Sequence, residues 1–314
     1  MGKIAFIFPG QGAQTVGMGK NLCDNFKEAR EVFAEADEAL QFKLSSLCFD
    51  GPATELNLTV NTQPAVLTVS TACLRVIEKN LEITPDYVAG HSLGEYSALV
   101  GTKAFSFFDG VKSVQKRGQF MQDAVPEGEG GMAAVLGLSR EQVEEICQEA
   151  AQGEVMTPAN FNCPGQIVIS GAVKALKRAI VLAKEKGSPK TVVLSVSAPF
   201  HCALMEPAAE KLKDYLNDVT VTPLAYPVVT NVKAVPNQDV SLVKEILVKQ
   251  VTHPVLWEDS IVAMRERGVT TYVEIGPGKV LSGLVKKIDR SATVCNVDDT
   301  ESLKKLEKAW KEMH

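Results

Sequence analysis

Apolar positions along this chain recur in two alternating patterns. Residues 3–8 and 87–91 are short apolar runs that read as buried strands, while residues 20–40 and 63–80 carry apolar side chains at helical spacing. Strands alternating with helical stretches predict parallel strands joined by helical crossovers. Ser106 and Asp109 then have the spacing of a helix cap, ahead of a helix that carries Val114, Arg117, Phe120 and Met121 and stops near Pro126.

A break in composition follows at Glu127-Gly128-Glu129-Gly130-Gly131, which reads as a linker. Beyond it the pattern predicts a compact module. Residues 132–138 read as a strand, 139–151 as a helix capped by Ser139 and Gln142, and 155–162 and 166–170 as strands around an Asn-Cys-Pro-Gly turn. An amphipathic helix over 173–186 and a strand over 191–196 complete the order β-α-β-β-α-β, the ferredoxin-like arrangement. Helix and strand alternation then resumes, with strands at 271–275 and 293–297, a Gly276-Pro277-Gly278 turn and a closing helix. The expected architecture is α/β: a large parallel-sheet domain made of residues 1–126 and 198–314, with a small domain, 127–197, inserted into it.

Composition narrows the function classes. A chain of 314 residues, 45% hydrophobic, can bury a large core. Its seven cysteines form no C-x-x-C pair and are odd in number, which fits a reducing cytoplasm better than a disulfide framework. No stretch reads as an export signal, and no apolar run approaches the roughly 20 residues that span a bilayer. A net charge of −5 disfavours nucleic acid as a partner, and the four histidines are too scattered for a helix-borne zinc pair.

The chemistry concentrates at Val88-Ala89-Gly90-His91-Ser92-Leu93-Gly94-Glu95, a strand followed by a G-x-S-x-G turn and a helix. That turn pushes the Ser92 hydroxyl out at a helix start, where the Leu93 N–H faces a developing oxyanion. A base for Ser92 is sought among four histidines. Neighbouring side chains on such a turn diverge, so His91 is expected to pack or hydrogen-bond locally. His253, before Pro254 and Trp257, reads as structural at a helix start, and His314 is terminal. His201 is left as the base, where the chain leaves the small module. No acidic residue stands out as a third triad member, so a dyad oriented by other groups and a full triad both stay open. A second glycine turn, Pro9-Gly10-Gln11-Gly12-Ala13-Gln14, follows the first strand; it spells neither a dinucleotide nor a Walker loop, and its Gln11 N–H is a candidate second oxyanion donor. Arg117, on a rather apolar helix, pairs either with a protein carboxylate or with a substrate carboxylate.

Taken together these residues resemble the malonyl-CoA:acyl carrier protein transacylases and the acyltransferase domains of polyketide and fatty acid synthases. The resemblance covers nearly the whole chain. It rests on Phe-Pro-Gly-Gln-Gly-Ala-Gln at 8–14, Gly-His-Ser-Leu-Gly-Glu at 90–95, Arg117-Gly118 with Met121, and Gly-Met-Ala-Ala-Val at 131–135. Residues 160–165, Phe200-His201, Gln250 and Glu-Ile-Gly-Pro-Gly at 274–278 extend it. It implies a hydrolase-like α/β domain with an inserted ferredoxin-like domain. It also implies Ser92 as acylated nucleophile, His201 as base, Gln11 and Leu93 as oxyanion donors, Arg117 as the malonyl-carboxylate site, and the Gln250 main chain as the group orienting His201.

The activity so implied is ping-pong transfer of malonyl from malonyl-CoA to the phosphopantetheine thiol of acyl carrier protein, in fatty acid biosynthesis; the cysteine usage places it in the cytoplasm, and a monomer is adequate for the chemistry. No metal or bound cofactor enters; the CoA thioester is a substrate. Lys116, Lys190, Lys279, Lys286 and Lys287 are candidates for docking an acidic carrier protein, with solvated surface charge as the plainer alternative. A serine hydrolase shares the elbow, but Arg117 and the missing acid weigh against it. A non-catalytic binding protein is opposed by the presence of Ser92, His201 and both glycine loops.

Overall fold

The computed structural model describes residues 2–196 and 198–313. Strand β1 (Lys3–Phe8) leads into helices α1 (Lys20–Asn25), α2 (Lys27–Leu40), α3 (Leu44–Asp50), α4 (Ala53–Leu56) and α5 (Thr59–Asn80). After β2 (Tyr87–Gly90) come α6 (Gly94–Gly101) and α7 (Phe107–Asp123). The module β3 (Gly130–Leu136), α8 (Arg140–Ala151), β4 (Met156–Cys163), β5 (Gln166–Ala172), α9 (Val173–Glu185) and β6 (Lys190–Val193) follows. The chain ends with α10 (Glu206–Asn217), β7 (Val228–Val229), β8 (Pro236–Asn237), α11 (Val240–Thr252), α12 (Trp257–Glu266), β9 (Val269–Ile275), α13 (Val280–Ile288), β10 (Thr293–Val297) and α14 (Thr300–Met313).

Among the described residues the strands form two sheets. The larger has the order β10-β9-β1-β2-β7-β8 and is parallel except for the β7–β8 pair. Both faces of its central strand are buried, as a parallel sheet under helices requires. Phe6 and Phe8 point into one apolar core and Ala5 and Ile7 into another, a period of two that the apolar run 3–8 hides. The smaller sheet is antiparallel with the order β4-β5-β3-β6, the ferredoxin-like order for a β-α-β-β-α-β chain. One of its faces shares a core with α8 and α9, through Ala133, Val135, Ile146 and Ala179. Met132 and Val168, on the other face, join the core of the large sheet. No helix among the described residues is long and apolar enough to cross a membrane.

Several boundaries differ from the sequence expectation. The helix expected over 20–40 is two, because Phe26 is extended, at φ −126° and ψ 132°. Arg30 donates to the Cys23 carbonyl at 2.7 Å and so satisfies an acceptor that the interruption frees. The helix expected from residue 63 starts at Thr59 and runs through Pro64. The expected linker 127–131 is shorter: Gly130 and Gly131 pair with Ala172 and Gly171 inside the small sheet. The strand expected over 191–196 spans Lys190–Val193, and Leu194 and Val196 turn into the cleft described next. Both predicted serine caps form, with Ser106 accepting from the Asp109 N–H and Ser139 closing a full capping box with Gln142.

Candidate active site

The site lies at the C-terminal ends of β1 and β2, beside the small sheet, where open α/β sheets leave a crevice. The turn after β2 is tight because its two glycines touch: a Cβ on Gly90 would run into the Gly94 carbonyl. Ser92 is thereby held in the left-handed region, at φ +52°. The Ser92 N–H donates to Asn231 Oδ1 at 2.7 Å, and Asn231 Nδ2 donates to the Gly90 carbonyl at 2.7 Å, so one amide splints both sides of the turn. With the Ser92 N–H engaged, the Leu93 and Gln11 N–H groups remain, and neither has a partner among the described residues. The Gln11 loop is fixed from outside, by Gln11 Nε2 donating to Thr59 Oγ1 at 3.3 Å and Gly12 N–H donating to Gln14 Oε1 at 2.7 Å.

His201, also left-handed at φ +59°, places Nε2 2.8 Å from Ser92 Oγ. Its Nδ1 lies 2.8 Å from the Gln250 main-chain oxygen, which only accepts, so Nδ1 carries the proton and Nε2 presents its lone pair to the hydroxyl. Burial, reinforced by the Arg117 charge, pulls the imidazole pKa down to about 3. The imidazole is therefore neutral at physiological pH. A carbonyl fills the place of a triad acid.

Arg117, 1% exposed on α7, has no carboxylate within ion-pair distance among the described residues. Its Nη1 donates to Gln63 Oε1 at 2.8 Å, and its Nη2 to Gln250 Oε1 at 2.9 Å and Ser92 Oγ at 3.1 Å. Nε–H finds no partner, and the guanidinium lies 5.7 Å from the Tyr96 ring centroid. Of the two pairings open from the sequence, the protein carboxylate is absent. Glu95, buried one residue beyond Gly94, accepts from Gln250 Nε2 at 2.7 Å and from the Asn231 N–H at 3.1 Å. Desolvation raises its pKa to about 7, against the lowering effect of those hydrogen bonds and of Arg117.

Gln11, Gln63, Ser92, Leu93, Arg117 and His201 line a cleft of about 100 Å³ whose apolar wall includes Met121, Met132, Leu194, Val196 and Phe200. A second groove of about 190 Å³ shares Gln11, His91, Asn160 and Leu194 with it and is also lined by Val280. The six sequence-predicted residues, Ser92, His201, Gln11, Leu93, Arg117 and Gln250, thus meet in one place. The two other described histidines make their hydrogen bonds elsewhere. His91 reaches Asn162 on β4 at 2.8 Å and packs on Trp257, a contact across the two sheets in place of the local one expected. His253 caps the end of α11, with Nδ1 2.8 Å from the Lys249 carbonyl, so its place is a helix end and not a helix start. His314 lies outside the described residues. The five candidate docking lysines are all exposed, and Lys287 bonds to Gln166 Oε1 at 3.2 Å.

Sequence reasoning missed Gln63, Asn231 and Glu95. Glu95 carried a signal, as the one charged residue of the largely apolar α6, whereas Gln63 sits among other polar residues of α5 and was not distinguished by pattern. Asn231, in a loop after β7, carried none.

The acyl transferase domain family model matches residues 5–313. The malonyl CoA-acyl carrier protein transacylase of Bacillus subtilis is 51% identical over 304 residues, covering 96% of each chain. A crystal structure of an acyl carrier protein S-malonyltransferase from Vibrio cholerae superposes with a TM-score of 0.94 at 45% identity, over 97% of this chain and 99% of that one. A malonyl-transacylase solved in complex with a type II polyketide synthase acyl carrier protein gives 0.95 at 42% identity, over 98% and 99%. With the family model spanning all but the ends of the chain and the relatives matching almost end to end, this protein belongs to the acyl transferase domain family.

Proposed function

We propose that this enzyme is a malonyl-CoA:acyl carrier protein S-malonyltransferase, serving fatty acid biosynthesis through a Ser92 acyl-enzyme. The observation that carries the malonyl assignment is Arg117, a buried cation hydrogen-bonded only to neutral oxygens, one of them the nucleophile itself. A buried charge is tolerated when it is to be paired, and the free carboxylate of a malonyl group on Ser92 is the anion of the right size and place.

In the first half-reaction His201 Nε2 takes the Ser92 proton as Oγ attacks the thioester carbonyl. The oxyanion is received by the Gln11 and Leu93 N–H groups, and the Gln250 carbonyl holds the imidazolium through Nδ1–H. Collapse expels CoA, whose sulfur takes the proton back from His201. The phosphopantetheine thiol then repeats the sequence in reverse: it gives its proton to His201, attacks the malonyl ester, and Ser92 leaves with that proton. Burial that keeps His201 neutral suits both steps, because the base is free before each attack. An acyl carrier protein as acceptor is supported by the related transacylase solved with one bound.

The test is intact mass after mixing with malonyl-CoA or acetyl-CoA, with a Ser92→Ala control, followed by carrier protein bearing its pantetheine arm. A Ser92-dependent malonyl adduct that moves to the carrier is expected. Rapid loss to water would mark a hydrolase, and no adduct would sink the catalytic assignment.

A further inference from the structure

Among the described residues, Glu95 is the one buried carboxylate in contact with the residues that hold both Ser92 and His201. Its Oε2 accepts from Gln250 Nε2 and from the Asn231 N–H. Gln250 orients His201 through its main chain, and Asn231 splints the Ser92 turn. The Gln250 amide also stands between two charges: its Oε1 accepts from Arg117 while its Nε2 donates to Glu95. A cation and a carboxylate therefore sit at opposite ends of one side-chain amide.

We propose that Glu95 is a positioning and specificity-determining residue, holding Ser92 and His201 in register through Asn231 and Gln250 and balancing the Arg117 charge across the Gln250 amide until the malonyl carboxylate replaces it in that role. The proposal rests on the malonyl assignment above. Two carboxylates around one buried cation repel each other, so arrival of malonyl favours protonation of Glu95, with one proton drawn from solvent. The cleft then stays close to neutral whether empty or loaded. A neutral acetyl group makes no such demand. Arg117 on α7 is the charged group whose field acts on Glu95; strands β1, β2 and β7 and helix α5, also packed on α6, present none to it among the described residues.

The sign follows. A Glu95 that ionises near pH 7 repels malonyl above that pH and not below it, so use of malonyl-CoA weakens relative to acetyl-CoA as pH rises. Glu95→Gln keeps an oxygen for both donors and removes the charge. The experiment is kcat/KM for malonyl-CoA and acetyl-CoA from about pH 6 to pH 9 in wild type and E95Q, the ratio cancelling the shared titration of His201. The wild-type malonyl-to-acetyl ratio is expected to fall by about fivefold or more across that range, the low end of typical coupling between two ligands. The E95Q ratio should stay flat and exceed wild type at the alkaline end. A flat wild-type ratio, an E95Q slope equal to wild type, or an equal loss for both substrates with the slope unchanged would each overturn the proposal.

Should E95Q fail to fold, Ser92→Ala protein titrated calorimetrically with each CoA ester, in two buffers of different ionisation enthalpy, decides the matter. Proton uptake with malonyl-CoA and none with acetyl-CoA is expected; equal uptake overturns it. A wild type that forms the malonyl adduct yet shows a flat ratio defeats this proposal alone, whereas a wild type that forms no adduct defeats the malonyl assignment.

Discussion

At Arg117 burial and function oppose each other. Desolvation disfavours the guanidinium, and its compensation among the described residues is three neutral oxygens in direct contact, the face of Tyr96 and the more distant charge of Glu95. Breaking a buried charge pair by removing one partner costs roughly 3–5 kcal/mol, and truncating one side of a hydrogen-bonded charge pair at an interface costs roughly 2–5. Arg117→Ala should therefore lower the malonyl-to-acetyl ratio of kcat/KM by a factor corresponding to about 2–5 kcal/mol. An unchanged ratio would falsify the carboxylate role. Burial is the main cause of the lowered His201 pKa and the Arg117 charge the second, so a carboxylate paired with Arg117 would offset only the smaller part. The sequence announced Arg117 as an odd cation among apolar neighbours. It could not say that Gln63, Gln250 and Ser92 would surround it, because those residues lie 54, 133 and 25 positions away.

The turn between β2 and α6 shows how an element positions a side chain. Gly90 and Gly94 approach so closely that no Cβ fits between them, and the same turn is drawn onto β1 by the His91 N–H donating to the Phe8 carbonyl at 3.0 Å. Gly90→Ala forces backbone apart, a kind of overpacking that typically costs about 1–3 kcal/mol. Denaturant unfolding should register that loss, and adduct formation should slow well beyond what stability accounts for, since Ser92 Oγ is displaced from His201. Wild-type acylation by a Gly90→Ala protein would show the close contact to be dispensable. The elements here were legible because turn chemistry and apolar period are local: both serine caps and the small-module order form as expected. The misses were boundaries. Phe26 interrupts a continuous helical pattern, and Gly130 and Gly131 look like a linker but pair in a sheet, where neighbouring strands supply what composition does not reveal.

On the scale of the whole molecule, the crevice has a floor from the parallel sheet and a wall from the antiparallel one. We propose that residues 127–197 fold as a unit inserted between residues 1–126 and 198–314, supported by the separate core formed by the small sheet with α8 and α9. A fragment 127–197 should unfold cooperatively in urea, and the absence of any transition would sink the idea. Its stability should be modest, because Met132 and Val168 lose their cover from the large core. The sequence by itself determined the tight glycine turn that presents Ser92, the glycine loop after β1, the class of each long element and which histidine stands beside Ser92. All of these depend on local backbone preference or on the scarcity of histidine. Tertiary structure alone decided that Asn231 splints a serine 139 residues away, and that no carboxylate among the described residues lies within ion-pair distance of Arg117. Such contacts depend on strand order and on how crossovers pack, and no periodicity along the chain encodes which distant residues that packing brings together.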